Sequence, residues 1–226
     1  MELLLDSANL NELAGGLRDL PVAGVTTNPT ILKKEGKVDL PAHLAAIRGL
    51  CGPHRSLHVQ VVTTAAQAMQ TEAQHILNTL GMDTYIKVPV SEAGLTVIGQ
   101  LVRAGTHVTA TAVYTSLQGM LAVLAGANYV AVYCGRIDRA GGSSQAVLHE
   151  IADFIHRGGF HTRLLAASFR EPQAIADAYA AGADSVTAAP AVLRAGLSLP
   201  CIGEATDAFQ ADFEAVYGTG ATMQRL

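Results

Sequence analysis

One pattern, repeated from end to end, constrains this chain more than any other feature. Short β-branched or apolar runs alternate with segments whose apolar residues recur at i, i+3, i+4 and i+7. The strand-like runs cover 2–6, 23–27, 57–62, 84–88, 107–113, 129–133, 162–167 and 185–188. Their starts fall roughly 20 to 35 residues apart, about the length of a βα unit. Strict strand–helix alternation calls for crossover connections, and therefore for a parallel sheet with helices outside it. Eight units favour closure into a (β/α)8 TIM barrel over an open doubly wound sheet, although the chain is shorter than the usual ~250 residues. No G-x-G-x-x-G or G-x-x-x-x-G-K-[ST] follows a strand, which weakens the nucleotide-binding open-sheet alternative. No linker-like composition interrupts the pattern, so 1–226 reads as a single barrel domain. Ser7, Ser91 and Ser143 or Ser144 stand where helices need caps, and Gly81, Gly105, Gly126, Gly158 and Gly182 where left-handed helix ends are expected. After the eighth strand, 203–217 reads as a further helix with Ala205, Phe209, Phe213, Val216 and Tyr217 on one face. That face is suited to cover its own barrel or a neighbour's.

Composition narrows the function. Only 15% of residues are charged, against roughly 25% in an average soluble protein, which suits a chain that buries extra surface in an oligomer. The net charge is −4, so there is no basic excess for a nucleic acid or an anionic membrane. An anion must be met by a local pocket instead. Lys33, Lys34 and Lys37 form the one lysine cluster, read as a solvated loop. Three widely spaced cysteines, Cys51, Cys134 and Cys201, suit a reducing cytosol rather than a disulfide framework. The start, Met1 to Asp6, has no basic n-region, so no signal peptide is expected and the expected location is cytoplasmic. The richest apolar stretch, 119–134, is interrupted by Gly126 and Asn128 and is too short to span a bilayer.

Lys87 is out of place. It is the sole lysine outside the 33–37 loop, and it sits between Ile86 and Val88 in the fourth strand. With period two, Ile86 and Val88 face the helices while Tyr85 and Lys87 face the barrel interior. A buried unpaired ammonium costs several kcal/mol. One reading is a structural ion pair with an acid such as Asp6. The other is a Schiff-base lysine, its pKa lowered by desolvation so that a free amine can attack a ketone and make an electron sink for C–C bond chemistry.

Active sites of such barrels lie at the C-terminal strand ends. Those ends carry Asp6, Thr26, Asn28, Gln60, Thr109, Thr111, Tyr133 and Ser168. Pro29 holds Asn28 in an extended conformation. Singly, each is a core polar group or a cap; gathered around Lys87 they suit a hydroxyl-binding pocket with a proton donor. Arg136, in Gly135-Arg136-Ile137-Asp138, and Arg170, in Ser168-Phe169-Arg170, stand beside Gly/Ser-rich helix starts and suit a phosphate. Surface ion pairing with Asp138 and Glu171 is the alternative. The eight histidines show no H-E-x-x-H pattern, His54 and His58 read as structural, and no Cys/His cluster suggests a metal. Cys134 is a weaker nucleophile candidate than Lys87, and no G-x-S-x-G supports a serine hydrolase.

Leu5-Asp6-Ser7-Ala8-Asn9, Gly24-Val25-Thr26-Thr27-Asn28-Pro29, Ile86-Lys87-Val88-Pro89, Tyr133-Cys134-Gly135-Arg136-Ile137-Asp138 and Ala166-Ala167-Ser168-Phe169-Arg170 together resemble the small transaldolases, most closely their fructose 6-phosphate aldolase subgroup. The likeness runs in order along nearly the whole chain. It implies a class I enzyme without metal or cofactor, with Lys87 as the Schiff-base residue. Asp6, Thr26 and Asn28 would orient donor hydroxyls, and Arg136, Ser168 and Arg170 would clamp a phosphate. Gln60 and Tyr133 match the aldolases, whereas transaldolases carry Glu and Phe there. The subgroup's tyrosine, with Gln60 and Thr111, holds the water that moves protons. Gly135 instead matches the transaldolase pattern, and Thr109 replaces an aldolase leucine. The family also forms homo-oligomeric rings, commonly a decamer of two pentamers, through the last helix. A transaldolase, or a non-catalytic barrel that binds a sugar phosphate, remain the alternatives.

Overall fold

The apolar runs form strands because every second residue can be buried on each side of a closed sheet. The computed structural model describes residues 1–225. Its strands are β1 (Glu2–Asp6), β2 (Gly24–Thr26), β3 (Ser56–Gln60), β4 (Tyr85–Pro89), β5 (Val108–Val113), β6 (Tyr129–Tyr133), β7 (Arg163–Ala167) and β8 (Ser185–Ala188). Each pairs in parallel with its sequence neighbour, and β8 returns to β1 to close the barrel. The helices are α1 (Leu10–Asp19), α2 (Pro29–Leu32), α3 (Leu40–Cys51), α4 (Ala66–Leu80), α5 (Glu92–Arg103), α6 (Ser116–Leu124), α7 (Cys134–Arg139), α8 (Ser144–Gly158), α9 (Pro172–Ala180), α10 (Pro190–Leu197) and α11 (Pro200–Tyr217).

The core lies mainly between sheet and helices. Ile86 and Val88 of β4 are fully buried there with Met69 and Leu77 of α4 and Val97 and Ile98 of α5. Each such side chain contributes ~1.5–3 kcal/mol. Inside the barrel, Leu4, Tyr129, Ala131 and Leu165 form a separate layer with Tyr85 against it. At the N-terminal end, Tyr129 Oη donates to Glu2 Oε2 at 2.7 Å, and Arg163 pairs with Glu2. His58 fills the next level. It stacks on Tyr85 with ring centroids 4.5 Å apart and bonds Thr109 Oγ1 at 2.8 Å. Burial first, and the Lys87 charge second, hold its imidazole well below the usual range, so it is neutral. The structural reading of His58 stands, and the Thr109 hydroxyl is committed below the pocket.

Ser91 and Ser143 cap α5 and α8 as expected, accepting from Gly94 N at 3.0 Å and Ala146 N at 3.2 Å. The cap of α1 is Asn9, not Ser7. Asn9 Oδ1 reaches both Asn11 N and Glu12 N at 3.1 Å, while the Ser7 hydroxyl donates to Glu12 at 2.8 Å. Gly158 is also not a left-handed end. It lies inside α8, and the left-handed residue is Gly159, at φ 63°. The last helix starts at Pro200, three residues before the expected 203, because proline suits the first helical turn. No residue of α11 is buried, and Phe209 and Val216 are 70% and 73% exposed. Its apolar face does not cover its own barrel. Among the described residues, no helix is long and apolar enough to cross a membrane.

Candidate active site

Alternation along β4 carries Lys87 into the barrel, where it is 3% exposed. Its Nζ donates to the Thr27 carbonyl at 2.7 Å. Among the described residues, Lys87 has no ion pair, so the structural ion-pair reading does not hold. Burial pulls its pKa down to about 8, against a smaller upward pull from the Asp6 carboxylate. Relative to an ordinary lysine near 10.5, the free-amine fraction at pH 7 rises roughly 300-fold.

A cavity of about 280 Å³ opens in front of this amine. Asp6, at the end of β1, lines one side; its Oδ1 accepts from Thr26 Oγ1 at 2.7 Å, and Thr26 is linked in turn to Thr187 at 2.7 Å. Burial pushes the Asp6 carboxyl upward, while Lys87 and the Thr26 hydroxyl draw it down. Asn28 adopts the extended conformation that Pro29 demands, φ −157°. Its Oδ1 accepts from Ile31 N at 3.0 Å and caps α2, which leaves the Nδ2 amide for a ligand. Thr26 is fully buried behind Asp6 and does not line the cavity.

Tyr133 closes another side. Burial raises its phenol pKa, so it stays protonated, and Thr111 Oγ1 donates to its Oη at 3.2 Å. Thr111 is brought there by an irregularity in β5. The register slips between Ala110 and Val113, and Ala112 takes the left-handed conformation at φ 58°. Gln60 neighbours Lys87 in the β3–β4 register, and its Oε1 is buried without a hydrogen-bond partner among the described residues. It does not line the cavity and also borders an apolar groove beside α3 and α4.

Arg136, Ser168 and Arg170 form the cationic wall. The Arg136 guanidinium lies 4.7 Å above the Tyr133 ring and donates to Tyr114 Oη at 3.0 Å. Asp138 accepts from Ser144 N and Oγ, both at 2.9 Å, and so holds the first residue of α8 beside the Ser143 cap rather than pairing with an arginine. Ser168 takes the left-handed conformation at φ 73°. Its carbonyl lies only 2.0 Å from where a Cβ on Gly135 would stand, so glycine is required for this approach. Cys134 is no nucleophile: burial pushes its thiol up to about 11.

Sequence reasoning missed three participants. Tyr114 holds Arg136, Ala112 carries the bulge, and Lys34, exposed as expected of its cluster, also lines the cavity. Ala112 and Tyr114 lie in Thr111-Ala112-Val113-Tyr114, a segment that resembles the aldolases without showing these roles, and Lys34 had the signal of a cation six residues beyond Asn28.

Comparison with known proteins gives the family. The family described as Transaldolase/Fructose-6-phosphate aldolase matches residues 3–226. A Streptococcus pneumoniae protein named probable fructose-6-phosphate aldolase is 40% identical over 213 residues, covering 94% of this chain and 96% of that one. A lysine amine kept partly neutral in a closed eight-stranded barrel, with a family match over nearly its whole length, makes this chain a member of the transaldolase/fructose-6-phosphate aldolase family.

Proposed function

We propose that this protein is a class I aldolase that reversibly cleaves fructose 6-phosphate, or a closely related dihydroxyacetone-type aldol, through a Schiff base on Lys87. The observation that carries the reading is the Lys87 amine, buried, without an ion pair among the described residues, and facing a small cavity with a cationic far wall. Lys87 Nζ adds to the C2 ketone, and loss of water leaves an iminium. A water held beside Tyr133 takes the C4 hydroxyl proton, the C3–C4 bond breaks, and the electron pair moves into the iminium to give an enamine; the same water and Tyr133 later return a proton to C3. Glyceraldehyde 3-phosphate departs from between Arg136, Ser168 and Arg170. Protonation of the enamine at C3 and hydrolysis of the iminium release dihydroxyacetone. Tyr133, kept protonated and bonded to Thr111, is the proton donor. The free Gln60 Oε1 supports a role beside it in holding water. Asp6, backed by Thr26, and the Asn28 amide orient donor hydroxyls.

The test is fructose 6-phosphate alone. Release of glyceraldehyde 3-phosphate without an added aldose, absent in Lys87→Met, supports the aldolase. Turnover only with an acceptor such as erythrose 4-phosphate supports the transaldolase reading, which Gly135 favours. Persistent ligand binding with no turnover in either protein would mean a non-catalytic barrel.

The apolar face of α11 supports a homo-oligomer in which this helix packs on a neighbouring copy, as in a pentamer or a decamer of two pentamers. Light scattering reporting a monomer near 23.5 kDa would refute it. Three free cysteines, two of them buried, suit a reducing cytoplasm.

A further inference from the structure

Lys34 lies on the 3₁₀ turn Lys33–Glu35 directly after α2 and lines the cavity, whereas Lys33 and Lys37 do not. The turn is tethered on both sides. Asn28 Oδ1 accepts from Ile31 N at 3.0 Å, and Glu35 Oε2 accepts from Asn9 Nδ2 at 3.3 Å. Glu35 is thereby occupied, and among the described residues Lys34 has no ion pair. Its charge is felt inside the site, since it joins Lys87 and Arg136 in drawing the Asp6 carboxyl down.

The closed strand order places β2 and β6 on opposite sides of the barrel. Lys34, which follows β2, and Arg136, which follows β6, therefore reach the cavity from opposite sides of the barrel. Lys34, Arg136 and Arg170 outnumber the Asp6 carboxylate even with Lys87 neutral, in a chain whose net charge is −4. A phosphate monoester carries about −1.5 to −2 at pH 7, so a third cation has a charge to meet. We propose that Lys34 is a substrate-binding residue that holds the sugar phosphate's terminal phosphate from the β2 side, opposite Arg136 and Arg170, and so sets the preference for phosphorylated over unphosphorylated aldehydes. This assignment rests on the aldolase reading above.

The experiment is aldol addition of dihydroxyacetone to glyceraldehyde 3-phosphate and to glyceraldehyde, with kcat/KM measured for each. In Lys34→Gln the ratio of the two falls about tenfold or more, the worth of one charge-assisted hydrogen bond, chiefly through KM for the phosphorylated aldehyde. Lys34→Arg keeps most of the ratio. Lys33→Gln removes the same charge outside the cavity and leaves the ratio at the wild-type value. If Lys34→Gln and Lys33→Gln behave alike, or both aldehydes suffer equally in Lys34→Gln, the assignment is overturned. Arg170→Gln separates the two levels of inference. If it lowers the ratio and Lys34→Gln does not, only the Lys34 assignment fails; if neither lowers it, the phosphate reading of the whole wall fails.

Discussion

Replacing Lys87 by methionine abolishes activity on this account and also makes the protein more stable at neutral pH. The folded state lowers the lysine pKa from 10.5 to about 8, chiefly by burial. Between those values the unfolded chain holds a proton that the folded chain has released, so stability rises with pH across the window. Below pH 8 both states are protonated, and the folded state bears the full cost of ~3 kcal/mol, about 2.5 pKa units at 1.36 kcal/mol each. The attraction to Asp6 is already contained in that figure, because it is one of the causes that set the value. Methionine fits the same volume without a charge but loses the bond to the Thr27 carbonyl, worth ~1 kcal/mol. The expected net gain at pH 7 is about 2 kcal/mol, or roughly 4–8 °C in Tm for a chain of this size. The gain shrinks as pH rises from 8 toward 10.5. Urea and thermal unfolding of both proteins at pH 7 and pH 10 measures it. A Lys87→Met protein less stable than wild type at pH 7, or a difference that does not change with pH, would refute the reasoning.

Other outcomes follow from the same geometry. The rate of Schiff-base formation rises with pH through an apparent pKa near 8, where Lys87 loses its proton, and a stopped-flow pH profile with no inflection between 7 and 9 would contradict this. Tyr133→Phe removes the proton donor and lowers kcat by ~10²–10⁴ while Lys87 still forms the imine. Equal loss of turnover and imine formation would instead make the tyrosine a packing residue. Gly135→Ala drives a methyl against the Ser168 carbonyl and raises KM for phosphorylated substrates, leaving the pH profile where it was; steady-state kinetics on paired aldehydes reads this.

Much of the site was legible because its residues break local rules. A lysine flanked by Ile86 and Val88 contradicts an apolar strand, and period-two alternation alone says which way it points. Asp6, Asn28, Tyr133 and Ser168 were readable as polar residues at strand ends, where a barrel places them around one axis. What stayed hidden depends on backbone conformation that sequence does not signal. Ala112 and Ser168 adopt left-handed conformations without being glycines, and both are held by their surroundings rather than by intrinsic preference. Lys34 is exposed, as a lysine cluster usually is; what the sequence hid is that the short turn after α2, tied through Asn28 and Glu35, sets it beside the cavity. The Ser7–Asn9 exchange is a two-residue ambiguity between equally good capping residues, settled by which oxygen reaches Asn11 N and Glu12 N.

The proposed chemistry requires the Lys87 amine to bond covalently to a ketone. Incubation with dihydroxyacetone and borohydride, followed by peptide mass spectrometry, tests it directly. The expected result is the reduced three-carbon adduct on the peptide carrying Lys87, with activity lost in proportion. An unmodified Lys87 peptide from protein that still turns over its substrate would contradict it.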